Sequence, residues 1–176
     1  DGRLRLTMLE TLREYGGEQL AGRGELEAAR AAHAAYFAAL VERLEPALRG
    51  RDQLGALERL ARERENVAAA LRYLVDADQG APALRMCLAL SWYWSLVDSA
   101  DEATTWLRAV VEANAGRAVP TLAYAEAGLL VSELFGAQNF ALGGWTAGRS
   151  RLAEAAERLV DGVPRRVVVI IMGTIQ

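Results

Sequence analysis

Apolar positions alternate over the first residues of the chain and then change to a helical period. Arg3, Arg5 and Thr7 fall on one side and Leu4, Leu6 and Met8 on the other, which predicts a short half-buried β-strand. Thr7-Met8-Leu9-Glu10 follows as a capping box, in which Thr7 and Glu10 satisfy each other's backbone donors. The helix it opens carries Leu9, Leu12, Tyr15 and Leu20 at helical spacing. Gly16-Gly17 weakens its middle by about 1 kcal/mol per glycine relative to Ala. A second helix begins near Leu26, with Leu26, Ala29, His33, Tyr36, Leu40 and Leu44 as its apolar stripe, and Pro46 and Gly50 end it. Asp52 is placed to cap a third helix striped by Leu54, Leu57 and Leu60, with Glu58 and Arg62 paired at i,i+4. Asn66 is placed to cap a fourth, carrying Val67, Ala70, Leu71 and Leu74 and closed by Gly80.

The second half continues the period. A helix apolar nearly all round is expected from about Ala83 to Val97. Ser99-Ala100-Asp101-Glu102 forms a second capping box, ahead of a helix with Trp106, Leu107, Val110 and Val111 inward. Asn114 to Val119 is a turn, and Pro120 opens a helix running to Leu134. A glycine-rich stretch, Gly136 to Gly148, precedes a last helix from about Arg149 to Val160. The four prolines stand at 46, 82, 120 and 164, at intervals of 36, 38 and 44 residues, each near the start of a unit of about two helices. Such spacing predicts stacked helix pairs, because one pair alone cannot bury both apolar faces. The tail Val167 to Ile171 has strand-like propensity. By position it is expected to be the first helix of a further pair, left without its partner.

Composition narrows the chemistry. Of 176 residues, 34 are Ala, 26 are Leu, and all 20 basic residues are Arg. With no lysine, neither a Schiff-base nor a P-loop lysine is possible in this stretch. One His, His33, and one Cys, Cys87, fall short of a usual zinc ligand set and of any internal disulfide. The unpaired cysteine points to a reducing cytoplasm. A net charge of -3 argues against nucleic-acid contact by the domain as a whole. No uncharged apolar stretch approaches the roughly 20 residues of a membrane span, and no signal peptide opens the chain. A start at Asp1 rather than Met leads us to expect a fragment or a processed product.

Three segments carry a family resemblance. They are Leu9-Glu10-Thr11-Leu12-Arg13-Glu14-Tyr15 after the Arg-Leu-Arg-Leu strand, then Arg30-Ala31-Ala32-His33-Ala34-Ala35-Tyr36-Phe37 with Glu45 to Gly50, then Glu65-Asn66-Val67-Ala68-Ala69-Ala70-Leu71-Arg72. In this order and spacing they resemble the region after the nucleotide-binding module of actinobacterial STAND-type (NB-ARC/AAA-like) ATPase regulators, which include LuxR-family and SARP transcription factors. The resemblance runs over residues 3–111; Gly16-Gly17 departs from it, and Gly136 to Gly148 looks like an insertion. It implies an all-α superhelical array of antiparallel, tetratricopeptide-like (TPR-like) helix pairs with a short N-terminal strand. Residues 1–24 would be the C-terminal remnant of a winged-helix subdomain, and residues 25–176 a TPR-like repeat region truncated at its C-terminus. It further implies an NTPase domain upstream in cis and a DNA-binding domain elsewhere in the parent protein. The expected function is a non-catalytic sensor or regulatory module that answers to a protein partner or small inducer. The alternative is a stand-alone TPR-type peptide-binding adaptor.

Individual side chains fit a non-catalytic reading, and no catalytic, cofactor-binding or metal residue is assigned. Gly143 to Ser150 matches G-x-x-x-x-G-K-[ST] except that Arg149 replaces the lysine. An arginine fork is no substitute for a compact ammonium, and a helical pattern precedes the segment where a P-loop needs a strand, so it reads as an inter-helix turn. His33 lies on an apolar stripe without a Cys or Ser partner and Cys87 among leucines, which makes both packing residues. Trp92, Tyr93 and Trp94, with Trp106 nearby, are read first as core and second as a ligand or partner surface. Arg49, Arg51, Arg59, Arg62, Arg64 and Arg72 alternate with Asp52, Glu58, Glu63 and Glu65, a net of only +2 over residues 49–72. They read as a solvated, salt-bridged face rather than a nucleic-acid site.

Overall fold

The computed structural model describes residues 8–119 and 121–135, and all regular structure in them is helical. The elements are α1 (Glu10–Gly22), α2 (Leu26–Leu44), a 3-10 turn (Pro46–Arg49), α3 (Gln53–Arg62), α4 (Arg64–Asp76), α5 (Gly80–Leu96), α6 (Ala100–Ala113) and α7 (Leu122–Phe135). The expected strand at residues 3–7, the helix at 149–160, the tail at 167–171 and the glycine-rich stretch lie outside the described residues.

Contacts between ends show how the helices run. The Tyr73 hydroxyl, late in α4, donates to Glu27 Oε1 at the start of α2 at 2.6 Å, so α2 and α4 are antiparallel. Arg85 of α5 meets Glu42 of α2 at 3.5 Å, and about two turns later Trp92 Nε1 donates to the carbonyl of Leu48, in the 3-10 turn that follows α2, at 3.2 Å, so α5 runs parallel to α2. Asn114, at the end of α6, reaches back to Gly80 at the start of α5, so α5 and α6 are antiparallel. The first turns of α4 and α6 meet through Arg64 and Glu102. Further packing joins α6 to α7, α5 to α7 and α1 to α2. Neighbouring long helices therefore oppose each other and alternate ones run together, a repeat-like layout of the α2/α4 and α5/α6 pairs with α7 beginning the next. The 3-10 turn and α3 are inserted into the first pair, which is why Pro46 opens a short turn while Pro82 sits in the first turn of a long helix.

The core follows the seam between the pairs. Leu48, Leu60, Leu71, Leu84, Met86, Leu90 and Leu107 are fully buried there, each worth about 1.5–3 kcal/mol relative to exposure. The predicted stripe of α4 is buried throughout: Val67, Ala70, Leu71 and Leu74. On α6, Leu107 and Val110 are buried, with Trp106 and Val111 packed partly against them. Two stripes are rotated from expectation. On α2 the buried residues are Ala34, Phe37, Leu40 and Val41, while Tyr36 is 53% exposed and His33 half-buried. The turn of about one residue puts wholly apolar Phe37 and Val41 inward and leaves the polar tips of His33 and Tyr36 toward water. On α3 Ala56 and Leu60 are buried and Leu54 is 75% exposed; at about 100° per residue, Leu54 stands roughly 120° away from Leu60 around the helix.

Helix ends depart from the predicted caps. Glu10 begins α1 with Leu9 at the N-cap position, so the helix starts later than a Thr7 cap would place it. Asp52 and Ser99 occupy N-cap positions, but neither side chain makes a capping bond. Asn66 lies inside α4, whose N-cap is Glu63; α3 and α4 are separated by that single residue, so Asn66 comes one turn too late. Its Nδ2 donates to Glu63 Oε2 at 2.8 Å instead. Gly80 opens α5 rather than closing α4. The left-handed residues that end helices are Gly24 after α1, Asp78 after α4 and Asp98 after α5. The first two complete the paired 6→1 and 5→2 bonds of a Schellman motif: Glu25 N–H to Leu20 O with Gly24 N–H to Ala21 O, and Gln79 N–H to Leu74 O with Asp78 N–H to Val75 O. At Asp98 the Ser99 N–H supplies the 6→1 bond to Trp94 O.

Gly80 is required for packing. Buried Asn114 donates through Nδ2 to Gly80 O at 3.0 Å and to Val110 O at 2.8 Å. Its Oδ1 is buried and accepts no hydrogen bond among the described residues. A Cβ on Gly80 would stand 2.6 Å from that Oδ1, inside contact distance.

Candidate functional site

A small recess lies where α3, α4, α5 and α6 converge. Leu60, Val67, Leu71 and Leu90 form its apolar floor, Tyr93, Trp94 and Trp106 its aromatic walls, and Arg64 and Glu102 its polar rim. Helical spacing explains the grouping. Arg64, Val67 and Leu71 follow one another on α4 at steps of three and four, as do Leu90 and Trp94 on α5, and Glu102 and Trp106 on α6, while Leu60 comes from the end of α3. The space is about 10 Å³, the room of one water molecule. A drug-sized ligand needs several hundred Å³.

Arg64 Nε and Nη2 donate to Glu102 Oε2 at 3.2 and 2.9 Å, across 38 residues of sequence. The hydrogen bond and the charge of Glu102 raise the Arg64 pKa further above its already high value. The Arg64 side chain is 64% exposed and that of Glu102 21%, so the pair closes the rim from the solvent side; exposed pairs of this kind contribute about 0–1 kcal/mol. Burial, then the nearby Glu102 carboxylate, raises the Tyr93 pKa, so its hydroxyl stays protonated at neutral pH. These groups can hold a proton-donating or cationic partner. They offer no nucleophile activated by a base.

The aromatic cluster divides. Tyr93 and Trp94 are buried, as the core reading expects, while Trp92 is 42% exposed. Trp92 shares the Leu48 carbonyl with Gln53 Nε2, which donates at 2.6 Å, and the Arg49 guanidinium lies 5.3 Å from the Trp92 ring centre. Trp92 thus staples the 3-10 turn onto α5. The His33 ring lies 4.6 Å from that of Phe37 along α2, tilted at 47°, and His33 does not line the recess. Cys87 is buried, and burial pushes its thiol up to about 12. Of the arginine-rich stretch, Arg49 pairs with Glu45 at 2.6 Å, Arg59 with Glu63 at 3.4 Å and Arg64 with Glu102 at 2.9 Å. Arg62 Nε donates to the Glu58 backbone carbonyl at 3.2 Å. The segment Gly143 to Ser150 lies outside the described residues. Among the described residues no three His, Cys, Asp or Glu side chains gather as metal ligands would, and no helix is long and apolar enough to cross a membrane.

Arg64 and Glu102 are the site residues that the sequence concealed. Glu102 was expected to close a capping box on Ser99, but a charged guanidinium with two N–H groups outcompetes a single backbone amide. The only advance signal is their 38-residue separation, the same as one of the proline intervals. Comparison with known protein families, with curated proteins and with solved structures finds no match.

Proposed function

We propose that this chain is a non-catalytic regulatory and interaction module, built as a TPR-like superhelix of helix pairs and acting as the sensing arm of a STAND-type ATPase regulator. The observation that carries this reading is the alternation of antiparallel neighbours and parallel next neighbours through α2, α4, α5 and α6. Stacking of this kind makes an extended surface from repeated units and suits recognition rather than chemistry. The three resembling segments supply the identity of the parent. A protein partner or small inducer would stabilise one packing of the array against an upstream nucleotide module, and so shift that module between states by its differential affinity for them. Residues 1–24 would form the winged-helix end of that module, in the cytoplasm.

The gene decides the proposal first. An upstream P-loop ATPase domain in the same reading frame is expected. In that parent protein, deleting residues 25–176 should change the basal ATP hydrolysis rate. Absence of the upstream domain would replace this reading by the stand-alone peptide-binding adaptor; an unchanged rate would remove the array's regulatory role.

A further inference from the structure

Helix α7 carries two apolar faces. The core takes one of them: Ala125 is fully buried, and Leu122 and Leu129 pack against the same cluster. At about 100° per residue, Ala123, Ala127, Leu130 and Val131 gather on the other face, roughly 150° round the helix. Ala127 is 4% exposed, yet it stands apart from the core that the other helices build. Glu126 and Glu133, seven residues apart, run along one edge of this second face. There Glu133 Oε1 accepts from Arg108 Nη2 of α6 at 3.0 Å. Position in the array says what belongs on the face. Pro120-Thr121-Leu122 follows Pro82-Ala83-Leu84 at 38 residues, and α7 packs on α5 and α6 as α5 packs on α2 and α4. The next helix, α6, covers α5; the corresponding cover for α7 comes after Phe135.

We propose that residues 149–160 pack antiparallel on this second face of α7. In that segment Leu152, Ala155, Ala156 and Leu159 form one stripe at helical spacing, edged by Arg151 and Arg158, again seven residues apart. Viewed from each helix's own N-terminus, the two glutamates and the two arginines lie on the same hand of their stripes. Same-handed edges of two facing helices meet only when the helices are antiparallel. A single antiparallel register then sets Glu126 beside Arg158 and Glu133 beside Arg151. A carboxylate has room for two guanidinium donors, so Glu133 can bridge Arg108 and Arg151. The 13 residues from Gly136 to Gly148 easily span the roughly 8–10 Å between packed helix axes. The pairing rests on the stacked-pair part of the function proposed above, and not on the ATPase parent; absence of that parent would leave it standing.

Disulfide trapping in the full chain tests it, with Cys87→Ala as background. Ala127→Cys with Ala156→Cys should close an intrachain disulfide under mild oxidation, seen as a mobility shift that a reductant reverses. Ala123→Cys with Leu152→Cys should not close, since this register holds the two about 14 Å apart along the helix axes. Closure of the second pair instead of the first would overturn the antiparallel register. Disulfides between chains would hand the face to a second copy, and no disulfide in a chain that keeps its helical circular dichroism would leave the segment elsewhere; either result overturns the pairing. Charge reversal serves if the cysteine chains lose their helicity. Glu126→Arg and Arg158→Glu should each lower the urea midpoint, and the two together should restore it; a double variant no more stable than the singles would also overturn the pairing.

Discussion

Gly80→Ala tests the contact between α5 and α6 most directly. The new Cβ would stand 2.6 Å from Asn114 Oδ1 and 2.9 Å from its Cγ, so the amide must move. It cannot move freely, because Nδ2 is held by Gly80 O and Val110 O at 3.0 and 2.8 Å. Displacing it leaves a buried amide donor without partners, at about 1–3 kcal/mol, and crowding the packed seam adds roughly 1–3 kcal/mol. Ala gains at most about 1 kcal/mol over Gly in a helix. The net loss is about 1–6 kcal/mol, and the melting temperature should fall by roughly 2–24 °C for a chain of this size. Urea denaturation followed by far-UV circular dichroism measures it. Asn114→Ala vacates the space, so in that background Gly80→Ala should become neutral or slightly stabilising, a coupling that a double-mutant cycle isolates. If Gly80→Ala costs nothing, or costs the same with and without Asn114, the packing argument is wrong.

Other perturbations follow from the same geometry. Asp98→Gly relieves a left-handed aspartate at φ 54° and should stabilise by up to about 1 kcal/mol; a lower urea midpoint would contradict the assigned turn. Leu71→Ala should cost about 2–5 kcal/mol and Leu54→Ala less than about 0.5 kcal/mol, one being fully buried and the other on the surface. The Cys87 thiol ionises near its ordinary 9.0 when unfolded and about 12 when folded, so above pH 9 the unfolded state loses its proton first and stability falls as pH rises. At pH 10 that loss is about 1.4 kcal/mol. Cys87→Ala should remove this part of the alkaline slope, and a thiol reagent at neutral pH should label Cys87 only as fast as the chain opens.

The helical class, the approximate limits of most helices and the buried face of α4 were legible because apolar spacing alone decides them. Where two faces competed, as on α2, the period was right but its phase was not, since His33 and Tyr36 satisfy a hydrophobic pattern while their polar tips favour water. Caps were the least legible. Asp52 and Ser99 stand in the right places, yet their capping bonds are absent, and Glu102 is drawn to an arginine on another helix pair. Gly80 looked like a stop signal; its meaning depends on Asn114, which lies 34 residues away. The recess was hidden for the same reason. Its floor comes from α3, α4 and α5, and its rim joins one residue read as a solvated arginine to another read as a cap.

The alternation of antiparallel and parallel neighbours also has a mechanical meaning. Side-chain links cross from one pair to the next at Arg85 to Glu42, at Arg64 to Glu102 and, from α6 to α7, at Arg108 Nη2 to Glu133 Oε1 at 3.0 Å. They tie each helix pair to the next, as springs are joined in series. Tension applied to the chain ends is then borne seam by seam, and the weakest seam yields first while its neighbours hold. Under force such a chain lengthens in separate steps, each releasing one helix pair, rather than failing in a single rupture.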